Sequence, residues 1–157
     1  MRRSKLARHC AQLAFSIPIM LVAAQAQAIF IVNQPWVPPA ARARSTEAYM
    51  DLTSTEGAKL VGVATDVAAA AVILGPGKSA REATSVALPE HALVALRPGG
   101  YRIALKRVVR TLKLGDRVLL TLTIQAADGT QQQIPVDAEV RLRSPIEDER
   151  APHKHAH

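Results

Sequence analysis

The residues best suited to chemistry in this chain stand at its end. His153, His155 and His157 alternate with Lys154 and Ala156 after Pro152. Imidazoles at alternate positions can wrap Cu(II), Ni(II) or Zn(II), and histidine-rich tracts bind metals in this way. The tract is short and Lys154 adds local repulsion, so a solvated polar tail is the plain alternative. His91 follows Pro89-Glu90 with no second ligand near it in sequence, and reads as a lone surface histidine. A second feature is charge. Arg102 and Lys106 are spaced to share one face of a strand, and Arg107, Arg110 and Lys113 follow. This is the densest basic stretch after residue 28. It can meet an anionic partner surface or lipid headgroups, with an ordinary solvated face as the alternative.

Catalysis finds little to work with, and the chain is expected not to be an enzyme. A Ser-His-acid arrangement would have to use His91. There is no HExxH, no phosphate-cradling glycine loop and no dinucleotide fingerprint. Gly99-Gly100 follows Pro98 and is a turn pair. The single cysteine, Cys10, excludes a disulfide framework and a Cys-based zinc site. Aromatics make up 3% of the chain, which leaves few platforms for stacking nucleic acid.

Residues 1–28 read as a secretory signal peptide. Arg2, Arg3, Lys5 and Arg8 precede a largely apolar run from Cys10 to Ala24, and Ala24-Gln25-Ala26-Gln27-Ala28 offers small-x-small cleavage sites. The run is shorter than the roughly 20 residues a membrane helix needs. Ala7-Arg8-His9 before Cys10 does not look like a lipoprotein cleavage box. Cleavage after Ala28 would leave 129 residues and lower the formal charge from +7 to +3. Most of the basicity is then targeting signal and no argument for a nucleic-acid partner. The expected location is the periplasm, with no stable membrane span after cleavage.

The remaining chain is organised as short apolar runs between Gly and Pro. Ala48, Met50 and Leu52 alternate with Tyr49, Asp51 and Thr53, which is the period of a half-buried strand. Further strands are expected at 59–65, 68–74, 86–88, 91–97, 101–106, 117–125 and 134–142. Val118, Leu120, Leu122 and Ile124 share one face, as do Ile134, Val136, Ala138, Val140 and Leu142. The four alanines from Ala68 could be helical, but Val72-Ile73-Leu74 running into Gly75-Pro76-Gly77 argues for a strand. Residues 108–114 read as a loop or a short helical turn. Asp128-Gly129 is a hairpin signal. Residues 29–45, with three prolines and Trp36 as an anchor, should be mostly extended. Seven or eight closely spaced strands without a long helical pattern predict an all-β Greek-key β-sandwich over 29–143. Residues 144–157 form a charged, proline-broken tail, expected to be disordered.

The ordered segments Pro35-Trp36-Val37, Ala48-Tyr49-Met50-Asp51-Leu52-Thr53, Leu60-Val61-Gly62-Val63, Val72-Ile73-Leu74, Pro98-Gly99-Gly100-Tyr101 and Leu119-Leu120-Thr121-Leu122-Thr123 resemble the PCu(A)C family of periplasmic copper chaperones. The resemblance covers roughly 31 to 142. It implies a cupredoxin-like sandwich that carries Cu(I), in some members towards the copper centre of cytochrome c oxidase. A respiratory-oxidase assembly factor or another envelope protein is the implied partner. Family members bind Cu(I) through His and Met side chains, the soft and borderline donors it prefers. This chain departs at each such position. The strand-end His is Gly75, the hairpin Gly75 to Glu82 has no Met, and the His-x-Met pair is Arg102-Ile103-Ala104. Met50 falls in a segment that is core in the family. The resemblance therefore implies the fold without the strand-borne site, and any copper would be held by His153, His155 and His157. A non-metal interaction module on the same sandwich is the other reading. If the old site is remodelled, an anion or carboxylate is the natural companion of Arg102.

Overall fold

A computed structural model describes residues 29–145. The expected leader and the histidine tract lie outside the described residues. Nine strands form in order: β1 Phe30–Val37, β2 Thr46–Ser54, β3 Ala58–Thr65, β4 Ala68–Leu74, β5 Val86–Leu88, β6 Leu93–Leu96, β7 Arg102–Val108, β8 Arg117–Ala126 and β9 Gln131–Val140. That is one more than expected, because the extended segment containing Trp36 is itself a strand. Its backbone is recruited on both sides, antiparallel to β2 and parallel to β9. Leu142 also departs from expectation. β9 stops at Val140, and Leu142 is 71% exposed.

The strands lie in one curled sheet, in the order β4-β7-β2-β1-β9-β8-β3-β5, with β6 paired to β2. Non-consecutive neighbours such as β2–β7, β1–β9 and β3–β8 are the crossovers expected of Greek-key connections. The result is a β-sandwich. Alternation sets its interior: Val118, Leu120, Leu122 and Ile124 on β8 are all buried, as are Ala48, Met50 and Leu52 on β2. Each fully buried Leu contributes roughly 1.5–3 kcal/mol by leaving water. The alanines of β4 extend because β7 supplies a hydrogen-bonding partner from Ala68↔Val108 to Leu74↔Arg102. At the β8–β9 hairpin, Gly129 adopts φ +87° and the Thr130 N–H donates to Asp128 Oδ1 at 2.8 Å.

β7 matters most for function because it spans the sandwich end to end, about 20 Å at the usual rise. Arg102 lies beside the loops 75–85 and 97–101. Val108 lies beside the loops 38–45 and 109–116 and the end of β9.

Candidate functional site

Register brings together the positions at which the resemblance places its metal ligands. Leu74 pairs with Arg102, so Gly75 follows directly beside the start of β7. Glu47 on β2 pairs with Ala104. Ile103 and Leu105 point into the core and are fully buried, so Arg102, Ala104 and Lys106 take the opposite face.

Arg102 is nonetheless 8% exposed. Its Nε donates to Glu47 Oε1 at 2.8 Å. Its Nη1 donates to the carbonyls of Gly75 at 3.2 Å and Gly100 at 3.0 Å. One guanidinium therefore ties together β2, the end of β4 and the turn before β7. The Gly77 N–H, donating to the Gly99 carbonyl at 2.9 Å, fastens the same two loops. Gly99 takes φ +81°, a conformation that an L side chain would strain.

Glu47 is held from its other side as well. The Tyr49 hydroxyl donates to Glu47 Oε2 at 2.6 Å. The Trp36 ring lies 4.8 Å from the Tyr49 ring, tilted by 42°. Tyr49 was expected on the outer face of β2 and does alternate outward, but with Trp36 alongside it is 7% exposed. Burial pushes its phenol pKa above the ordinary value, and the hydrogen bond and charge of Glu47 push it further, against a smaller opposing pull from Arg102.

This arrangement does not fit copper. A guanidinium has no lone pair to offer. Gly75 and Ala104 carry no donor side chain. Among the described residues, no group of three or more His, Cys, Asp or Glu could hold a metal ion. The carboxylate beside Arg102 is the chain's own Glu47.

The other singled-out residues fall elsewhere. Met50 is core at 2% exposure. His91 is exposed beside Glu90, 3.5 Å from its carboxylate. Lys106 faces the same way as Arg102, as expected, and pairs with Glu82. The expected basic face is thus divided, with Arg102 and Lys106 neutralised and Arg107 turned to solvent by its own φ of +51°. The alternation along β2 places Glu47 and Tyr49 on one face, but only the β2–β7 register makes Glu47 the partner of Arg102.

The LpqE-like family model, described as "Putative lipoprotein LpqE-like", matches residues 30–136. The chain belongs to the LpqE-like family. No curated protein matches it. Among solved structures, the apo PCuAC domain from PmoF1 is similar at 27% identity and TM-score 0.63, covering 73% of this chain and 94% of that one. The Cu(I)-DR1885 solution structure from Deinococcus radiodurans is similar at 29% identity and TM-score 0.56, covering 76% of this chain and 84% of that one. The copper-bound PCuAC domain from PmoF2 has TM-score 0.59 over 73% of this chain and 93% of its own, and at 18% identity the likeness speaks to fold alone. The resemblance read from the strand segments is therefore to the right family of folds, and this LpqE-like chain is a PCuAC-like sandwich in which one ligand position, Arg102, is paired with Glu47. No helix among its described residues is long and apolar enough to cross a membrane.

Proposed function

We propose that this LpqE-like protein is a copper-handling protein of the cell envelope that does not use its sandwich as the metal site. The observation that carries the reading is Arg102, buried and hydrogen-bonded to Glu47, Gly75 and Gly100. It closes the strand face to a cation. Similarity to the Cu(I)-bound DR1885 structure supports copper as the cargo. The donors left for it are His153, His155 and His157. Imidazoles there would take the ion and present it to an acceptor, in this reading a respiratory oxidase under assembly or one of its assembly factors. The lipoprotein name of the family supports an envelope location.

The same observation favours a second reading, in which the sandwich is a non-metal interaction module and the tail has no metal role. Titration separates the two. Residues 29–157 and residues 29–144 are titrated with Cu(I) under anaerobic conditions and then with Cu(II) in air. The first reading expects binding by the longer chain that disappears in the shorter. Tight Cu(I) binding by both would mean that the sandwich holds copper despite Arg102. Binding by neither would leave the interaction module.

A further inference from the structure

The loops at the Val108 end of the sandwich are zipped into one surface. Ala40 and Leu112 exchange backbone hydrogen bonds at 3.2 and 2.8 Å. The Ala43 N–H donates to the Val108 carbonyl at 2.8 Å, and the Val108 N–H donates to the Arg44 carbonyl at 2.7 Å. The Arg42 N–H reaches Thr111 Oγ1 at 3.3 Å, and the Arg107 N–H reaches Ser45 Oγ at 3.2 Å. The Gly115 N–H donates to the Val140 carbonyl at 2.9 Å and joins the last turn to the end of β9.

This zipping assembles a charge cluster that is scattered in sequence. Arg42, Arg44, Arg107 and Lys113 are all exposed, and none has an ion-pair partner among the described residues. Arg110 stands among them, paired to Asp116. Other acids at this end are Asp66, on the neighbouring β3–β4 turn, and Glu139, near the end of β9 and paired to Arg117 and Arg141. Two large apolar side chains are set between the cations, Val109 at 50% exposure and Leu114 at 57%. Ala43 and Arg107 both hold left-handed backbone, at φ +65° and +51°. Such strain persists only where the surroundings enforce it.

We propose that this end of the molecule docks on an anionic phospholipid surface. The unpaired cations supply attraction to headgroup phosphates, and Val109 and Leu114 enter the headgroup boundary between them. The combination favours lipid over an acidic protein. Exposed apolar side chains flanked by arginine suit an amphipathic boundary, whereas charge alone would serve for an acidic chain. The inference stands apart from the copper reading, since no residue in it is offered as a metal ligand.

The test is cosedimentation of residues 29–157 with vesicles of phosphatidylcholine alone, or of phosphatidylcholine with one-third phosphatidylglycerol. Binding is expected only to the anionic vesicles and should weaken as salt rises. Arg42→Ser with Arg44→Ser should lower the partition coefficient roughly 30-fold, at about fivefold per cation. Leu114→Ser should lower it about tenfold. Lys78→Ser with Arg81→Ser, on the exposed loop at the opposite end, should leave it unchanged. All these side chains are exposed, so circular dichroism should show an intact fold in each variant. Equal binding to neutral vesicles, or equal loss in the opposite-end pair, would overturn the proposal. So would tight binding of polyglutamate without vesicle binding, which would point to an acidic polypeptide. Vesicle binding that emerges only when the chain ends at Ser144 would also overturn it, in favour of a patch covered by the chain's own Glu147-Asp148-Glu149.

Discussion

At one end of β7 an arginine is buried against a carboxylate and two carbonyls. At the other, about 20 Å away, four cations face solvent without an acidic partner among the described residues. The same functional group does different work in the two places. Arg102 has lost most of its hydration, so its charge must be met inside the protein, and it holds three backbone segments in fixed relation. Arg42, Arg44, Arg107 and Lys113 keep their water. Their positions are set by backbone hydrogen bonds, which leaves their charges available to something outside. Buried charge in this fold organises the chain, and exposed charge is what can recruit.

The sharpest way to break this contrast is to remove one arginine from each end. Arg102→Ala leaves Glu47 and the Gly75 and Gly100 carbonyls without their shared donor. Denaturant unfolding should show a loss of about 2–4 kcal/mol, somewhat below the usual range for a broken buried pair because Glu47 is one-third exposed. Arg44→Ala should fall within about 0.5 kcal/mol of the parent. Combining Arg102→Ala with Glu47→Gln should cost less than the sum of the two single changes, because the variants share one interaction. Additive losses, or equal losses at the two ends, would remove the distinction.

The two ends were also unequally legible in the sequence. Alternation exposed the core strands, since Leu120 and Leu122 or Met50 and Leu52 declare their face by type and spacing. It also put Arg102 and Lys106 on one face. It could not show that Glu47, 55 positions away, lies within hydrogen-bonding reach of Arg102, because register between distant strands has no local signature. β1 was hidden for a related reason. Pro35 and the bulge between Asn33 and Trp36 suppress its strand pattern, and its pairing comes from β2 and β9. At the solvent end, the run from Arg107 to Lys113 was readable as basic. Arg42 and Arg44 join it only through the hydrogen bonds that zip the two loops together. The tail histidines were legible by composition alone and lie beyond the described residues.

A smaller effect is expected at Tyr49, which tests whether the buried end is a network or a single pair. Tyr49→Phe keeps the ring against Trp36 and deletes the hydrogen bond to Glu47, for about 1 kcal/mol. The pH dependence is more diagnostic. The phenol pKa is raised in the folded protein, so its contribution is complete below the unfolded value of about 10 and is lost as pH rises further. Unfolding measured from pH 8 to 11.5 should show stability falling on the alkaline side, and less steeply in Tyr49→Phe. Parallel curves would mean that neither burial nor Glu47 raises the phenol in the folded protein.

The smallest effect belongs to the solvent end, where Asp116 is the one acid that meets the basic patch directly. Its Oδ2 accepts from the Lys113 N–H at 2.9 Å and from Arg110 Nη1 at 3.1 Å. The Lys113 N–H holds the carboxyl below the usual carboxylate range, and Arg110 adds to it. A lowered folded pKa stabilises the protein above the unfolded value of about 3.9, and that contribution is lost as pH falls through the folded one. Asp116→Asn retains an acceptor for the Lys113 N–H and discards the charge. Stability at neutral pH should barely move, and the decline below pH 4 should flatten slightly. The same variant releases Arg110, so its affinity for anionic vesicles should rise by about fivefold. A gain in vesicle binding with almost no change in stability would separate recruiting charge from organising charge at a single residue. A fall in both would mean that the solvent end is held together by its ion pair, as the buried end is.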